Sequence, residues 1–274
     1  MRKDRFYHIF KKGSKTYFYN SLFFPRDVRD DVFKLYGFVR EADNLVDTIP
    51  QRKEDFCIFR EDFCHAWEGG HTRDQVLDSF VEMARRRDIP KDWTEGFLHS
   101  MELDLVRSTY NTLEEVEEYM YGSAEVIGLM MSRIIGVEKE FYPHARMLGR
   151  AMQYINFIRD IDEDLKLGRR YLPTVELDKH GLKDLTFAHV KDRLEDFSKF
   201  MEDQVERYLE WQREAEKGFG ALERRYRLPI MNASEMYKWT AMTIRKDPLI
   251  VYREKVKPSK ARIVLNLFKK KMTI

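Results

Sequence analysis

Long apolar runs are missing from this 274-residue chain, and no stretch reaches the roughly 20 apolar residues of a bilayer-spanning helix. The opening Met1-Arg-Lys-Asp-Arg5 leads into an amphipathic segment and lacks the apolar core and cleavage site of a secretory signal. A soluble, cytoplasmic protein is expected. Cysteine is scarce: Cys57 and Cys64 stand seven apart on an expected helix, on one side but too distant for a bridge, so free thiols in a reducing compartment are expected. An excess of either charge is absent too. The net charge is +2 with acids and bases interspersed, which argues against nucleic acid as the main partner. Internal repeats, low-complexity tracts and persistent strand-like segments are also lacking.

What remains is a series of helical patterns, roughly 12 to 25 residues each, separated by short Gly- and Pro-containing loops. Thr112 with Glu115 reads as a capping box, and Gly136 and Pro143 precede the central helix. Leu185 to Gly218 reads as one long charged helical stretch, and Pro229 as a break before a helix from Ile230 to Arg245. These patterns predict an all-α domain large enough for a sizeable core. Within it, Gln153 to Pro173 carries apolar residues at helical spacing, Tyr154, Ile155, Ile158, Ile161 and Leu165, up to a stop at Gly168. On that helix Asn156, Asp160 and Asp164 share one face, with Gln153 on its border and Arg159 and Glu163 alongside. An isolated acidic pair at this spacing is ordinarily a solvated face, as Glu114 with Glu118 would be.

A second pair changes the weighting. Asp43 and Asp47 follow Arg40 on a helix that starts at Pro25 and Asp27, stops before Pro50, and has Tyr36, Val39, Ala42 and Val46 as its expected buried stripe. Two helices aiming acids at a shared interior make a bundle-core site for hard cations. Magnesium suits it, because that ion takes few protein carboxylates and leaves positions for water and phosphate. The substrate so implied is a diphosphate.

Arg40 to Asp47, the run Tyr119-Met-Tyr-Gly-Ser-Ala-Glu-Val-Ile-Gly128, and Gln153 to Pro173 resemble, in order, the signature segments of the squalene and phytoene synthase family. Gly13-Ser-Lys-Thr-Tyr-Phe-Tyr19 and Leu22-Phe-Phe-Pro25 fit as well, so the similarity spans nearly the whole chain, residues 1–274, as a single domain. The resemblance implies the isoprenoid synthase fold, a single-domain helical bundle around a central cavity. It also implies a magnesium-dependent prenyltransferase, with manganese as an alternative ion, that joins two prenyl diphosphates head to head through a cyclopropyl diphosphate. Motif style points to two geranylgeranyl diphosphates giving phytoene without a reductive step, hence without NADPH. Farnesyl diphosphate giving squalene or dehydrosqualene is the runner-up.

Carried over residue by residue, the resemblance makes Asp43, Asp47, Asp160, Asp164 and Glu163 the metal set. It places Ser14, Thr16, Gln153, Asn156, Tyr237 and, through a looser match, Arg253 at the substrate, and Tyr119, Arg40 and Arg159 at the chemistry. Arg169, expected to be exposed near the site mouth, is a further phosphate candidate. Two departures stand out: Asn44, where many relatives carry aspartate, and Glu125, where the family has a small residue, so that the pocket shape there is open. The basic amphipathic tail, Val256 to Lys271, is expected to close the bundle, with contact at an anionic membrane surface as the alternative. A non-catalytic assembly factor of the same fold is the competing class, disfavoured because such a protein needs no uncompensated acids. Asp160→Asn is expected to remove most turnover and leave the fold near wild type.

Overall fold

The computed structural model describes residues 5–271, with the side chains of 269–271 excepted. The reading of Met1 to Asp4 as lacking a signal, and the last lysine side chains of the tail, lie outside the described residues. Helices account for the architecture, and the described residues contain no strand beyond one isolated bridge between Thr109 and Arg170.

α1 (Arg5–Gly13) gives way at Ser14, whose extended backbone and hydroxyl cap α2 (Lys15–Ser21) by accepting from Tyr17 N at 3.3 Å. α3 (Arg26–Val46) follows Pro25 and ends at Asp47; α4 (Lys53–Trp67), α5 (Gln75–Arg86) and α6 (Lys91–Val106) close this half. Asp74 caps α5 by accepting from Val76 N. Thr112 caps α7 (Leu113–Met120) at Glu115 N, while the Glu115 carboxylate turns to Asn111 N at 2.6 Å instead of completing a reciprocal box. A π-helical turn (Tyr121–Glu125) leads into α8 (Val126–Ile135), which Gly136 ends in the left-handed region at φ 74°.

α9 (Tyr142–Arg159) runs through the centre, followed by α10 (Ile161–Lys166), α11 (Thr174–Lys179), α12 (Phe187–Val190) and α13 (Leu194–Glu216). α14 (Arg224–Lys246), the short α15 (Ile250–Arg253) and α16 (Lys260–Lys271) complete the order.

Three boundaries differ from the sequence reading. The central helix divides at Asp160 (φ −100°, ψ 17°), although Asp164 N still donates to Asp160 O at 2.8 Å and keeps the two pieces in register. The stretch from Leu185 to Gly218 is two helices separated by a turn. Pro229 lies inside α14 and does not precede it; near the helix start, its missing N–H forfeits one ladder bond without ending the helix.

Two apolar cores flank the middle of the molecule. One joins α1 to α6 with α8 through Phe38, Phe63, Phe80 and Phe97, and the other gathers Tyr154, Ile158, Phe197, Phe200 and Val205 around α9 and α13. Between them runs a cavity of about 600 Å³. The α3 stripe therefore splits: Ala42 and Val46 are core, whereas Tyr36 and Val39 are half-buried cavity wall. Likewise Phe97 and Met101 of α6 reach the cavity from the core, while Leu98 is core alone. Close approach at the π-turn demands glycine, because a Cβ on Gly122 would lie 2.2 Å from Gly96 O and from Ser100 Oγ. The tail packs as a closing helix: Ile263 and Leu267 bury against α14 and α2, and Asn266 Nδ2 donates to Asn232 and Glu235.

Candidate active site

Every acid of the expected metal set lines this one cavity. Asp43 and Asp47 come from the last turn and cap of α3, Asp160 from the α9–α10 break, and Glu163 and Asp164 from α10. Ser14, Thr16, Arg40, Tyr119, Gln153, Asn156, Arg159 and Tyr237 line it as well. The partly exposed acids mark its wet end, and Phe24, Val32, Ile135 and Leu222 form an apolar wall elsewhere.

Arg253 does not join them. It lies outside the cavity wall and pairs with Asp247, since α15 turns its side chain away. The C-terminal cations that do reach the cavity are Lys255 and Lys257. Glu125 likewise points away: it is 1 % exposed and held by Arg146 Nε at 2.8 Å and Arg150 Nε at 2.6 Å, so it leaves the pocket wall to Ser123 and Ala124. Asn44 is also outside the wall.

The acids are not uncompensated as the sequence suggested. Arg40 Nη1 bonds Asp43 at 2.8 Å, Arg159 grips Asp160 in a fork at 2.7 and 2.5 Å, and Lys255 reaches Asp160 at 3.2 Å and also Glu163. Arg169, expected to be exposed, is 5 % exposed; it donates to Asp47 Oδ1 at 2.8 Å and to Val46 O at 2.6 Å, tying the end of α3 to the turn after α10. Among the described residues no three acidic, histidine or cysteine side chains gather closely enough to cage an ion, because each acid leans toward its own cation.

Asp164 is the exception, with no ion pair among the described residues. Burial, with Asp160 and Asp47 nearby, pushes its carboxyl well above the usual range. Burial and Asp47 likewise raise Asp43 to about 7 against the pull of Arg40. Burial also pushes Asp160 up, but Arg159 and Lys255 outweigh it and leave its carboxyl lowered. Beside them Asn156 Oδ1 is buried without a donor. An unpaired carboxylate, a second raised one and an orphaned amide oxygen at one cavity fit a hard cation bound together with phosphate, which needs no all-protein cage.

The cavity wall also holds groups the sequence did not single out for the site. Tyr17 donates to Met152 Sδ at 3.1 Å, with its ring centroid 5.7 Å from that of Tyr237. Asp104 of α6 accepts from the hydroxyls of Tyr119 at 2.7 Å and Tyr171 at 2.8 Å, and burial raises it to about 6. An acid three residues after Met101 on an apolar stripe was the available signal.

The sequence profile described as squalene/phytoene synthase matches residues 10–262. A 15-cis-phytoene synthase from a Paracoccus species is 29% identical over 262 residues, covering 91% of this chain and 84% of that one. Another from a Synechocystis species is 30% identical over 243 residues, covering 82% and 71%. The fold superposes on a dehydrosqualene synthase solved with a ligand, with a TM-score of 0.86 at 22% identity, over 97% of this chain and 94% of that one.

Proposed function

The chain belongs to the squalene/phytoene synthase family and is a prenyltransferase of that type, and we propose that it condenses two geranylgeranyl diphosphates head to head to phytoene. The observation that carries this reading is the convergence of both acidic pairs, with Arg40, Arg159, Lys255 and Lys257, on the wet end of one cavity whose wall is otherwise apolar. The phytoene synthases among its relatives support the C20 substrate.

We place magnesium ions on Asp43, Asp47, Asp160 and Asp164, with Glu163 and Asn156 in support. Bound there, the metal would neutralise the negative charge that builds on the departing diphosphate. The residues of the chain do the rest. Ser14, Thr16, Arg40, Arg159 and Lys257 line the same end and orient the diphosphate oxygens by hydrogen bond and charge. Phe97, Met101, Leu148, Met152 and Phe157 line the apolar wall and exclude water that would quench an allylic cation. The rings of Tyr119, Phe157 and Tyr171 offer it π faces, each contributing about 0.5 to 2 kcal/mol. Residues 1–274 act as one catalytic unit in this reading, since both halves of the chain contribute cavity wall.

Among the described residues no helix is long and apolar enough to cross a membrane. α16 leaves Leu265 and Phe268 exposed, which supports peripheral contact with a membrane surface, while its cations Lys260 and Arg262 lie over the rings of Tyr19 and Trp239. The deciding assay incubates purified protein with labelled C15 and C20 diphosphates, with magnesium and then with EDTA. Phytoene from the C20 substrate, lost with EDTA, is expected. Hydrocarbon from the C15 substrate alone would reassign the product, and no product from either would end the reading.

A further inference from the structure

Asp104 belongs to neither acidic pair, yet it is the most thoroughly buried acid on the cavity wall at 6 % exposure. Its Oδ2 accepts from Tyr119 at 2.7 Å and its Oδ1 from Tyr171 at 2.8 Å, while the Arg169 guanidinium stays 3.7 Å away. Gln51 Nε2 donates to the Asp104 carbonyl at 2.7 Å and anchors this part of α6. The two phenols are fixed in turn by their neighbours. Tyr171 stacks on Phe157 at 4.3 Å between centroids with 11° between planes, and the Tyr119 centroid lies 5.1 Å from that of Tyr171. Asp104, Tyr119, Phe157 and Tyr171 all line the cavity.

A carboxylate in such a place is costly to desolvate, and the buried Arg169 guanidinium at 3.7 Å, which also serves Asp47, offsets only part of that cost. An apolar residue would fill the space at less expense, so packing does not account for the carboxylate. Its effect on the phenols does. Each spends its one hydroxyl proton on the carboxylate, which enriches its oxygen and ring in electron density; Arg169 Nη1, donating to the Tyr171 oxygen at 3.3 Å, offsets part of that gain on Tyr171 alone. In a water-excluded chamber, fixed negative density of this kind acts on a developing positive charge with little screening and needs no reorganisation.

We propose that Asp104 is a positioning residue for the condensation: through its hydrogen bonds it orients and polarises Tyr119 and Tyr171, so that the two phenols stabilise allylic positive charge. This rests on the reading of the cavity as a prenyl diphosphate site. Bound substrate carries no such cation, so the effect belongs to the turnover rate and not to binding.

The test measures kcat and KM of wild type and Asp104→Asn with labelled C20 diphosphate at saturating magnesium. Asparagine keeps the size and removes the charge. A fall in kcat of at least tenfold with KM within threefold is expected; a smaller fall overturns the proposal. In a Tyr119→Phe/Tyr171→Phe background, where the carboxylate has no phenol to act on, Asp104→Asn should cost less than threefold more. A full additional loss there would make Asp104 act by another route and overturn the proposal too. If Asp104→Asn does not fold, the single Tyr119→Phe and Tyr171→Phe proteins carry the test, because each keeps its ring and loses the polarised oxygen. At least tenfold in kcat at unchanged KM is again expected of each, and less overturns it. Wild type that turns over neither C15 nor C20 substrate would refute the underlying function; active wild type with insensitive variants would refute this inference alone.

Discussion

Arg169→Gln separates the two halves of the candidate site without touching an acid. Gly168, at φ 75°, ends α10, and Arg169 N bonds back to Asp164 O at 2.8 Å, which aims the side chain toward α3. There it meets Asp47 Oδ1 at 2.8 Å and Val46 O at 2.6 Å. Glutamine is too short for both, so the change leaves the Asp47 carboxylate without its donor and Val46 O with Gln51 Nε2 alone at 3.1 Å. Removing one partner of a buried ion pair costs about 3 to 5 kcal/mol. The Asp47 side chain is 36 % exposed, so water screens its share and the lower end applies, about 3 kcal/mol. For a chain of this size that corresponds to a drop in Tm of about 6 to 12 °C. Thermal unfolding followed by circular dichroism measures it. Because α3 and the turn after α10 lose their tie, the magnesium concentration for half-maximal turnover should also rise, by about tenfold. A Tm within about 2 °C of wild type would refute the ledger, since that margin is under about 1 kcal/mol. Unchanged magnesium dependence would refute the claim that Arg169 holds the acids in register.

Asp160→Asn should abolish most turnover, but the structure revises the expectation that the fold is spared: Arg159, forked onto Asp160 at 2.7 and 2.5 Å, loses a charged acceptor. A cost of about 2 kcal/mol in urea unfolding is expected, and unaltered stability would count against the observed pairing. Glu125→Gly, which restores the small residue usual in the family, should destabilise by about 3 kcal/mol, because it strips Arg146 of its acid and leaves Arg150 with Glu117 alone. An unchanged urea midpoint would show that those arginines find other partners. Glu176 supplies a pH signature away from the site. Burial pushes its carboxyl up, but Lys179 and Arg207 outweigh burial and hold it below the ordinary 4.5. A depressed folded value stabilises the protein above pH 4.5, and that contribution is lost as pH falls through the folded value. Glu176→Gln should therefore flatten the acid limb of stability measured by urea unfolding from pH 7 downward. An acid limb identical to wild type would remove Glu176 from the account.

Residues that answer to periodicity or punctuation were legible before the structure. Gly136 and Gly168 stop helices in the left-handed region, Thr112 caps α7, and the Asn156, Asp160 and Asp164 face does meet the α3 acids across one cavity. Periodicity reports only that a position is turned inward. It does not say whether the interior there is filled or hollow, and so Tyr36 and Val39 read as core when they are cavity wall. The ion pairs were illegible for a related reason. Arg169 is 122 residues from Asp47 in sequence, and no local pattern encodes such a contact. Composition also misled at this point, because charge near an acidic motif suggests solvent, whereas the fold draws Arg40, Arg159, Arg169 and Lys255 onto the acids and offsets their burial. That offset has a mechanistic consequence. If a cation-diphosphate complex is to bind Asp43 and Asp160, it must draw those carboxylates from Arg40, Arg159 and Lys255, and the phosphate oxygens it brings are acceptors for the donors so released. Ligand binding then exchanges one set of charge pairs for another in place, which keeps the desolvation cost of the site nearly constant between its free and occupied states.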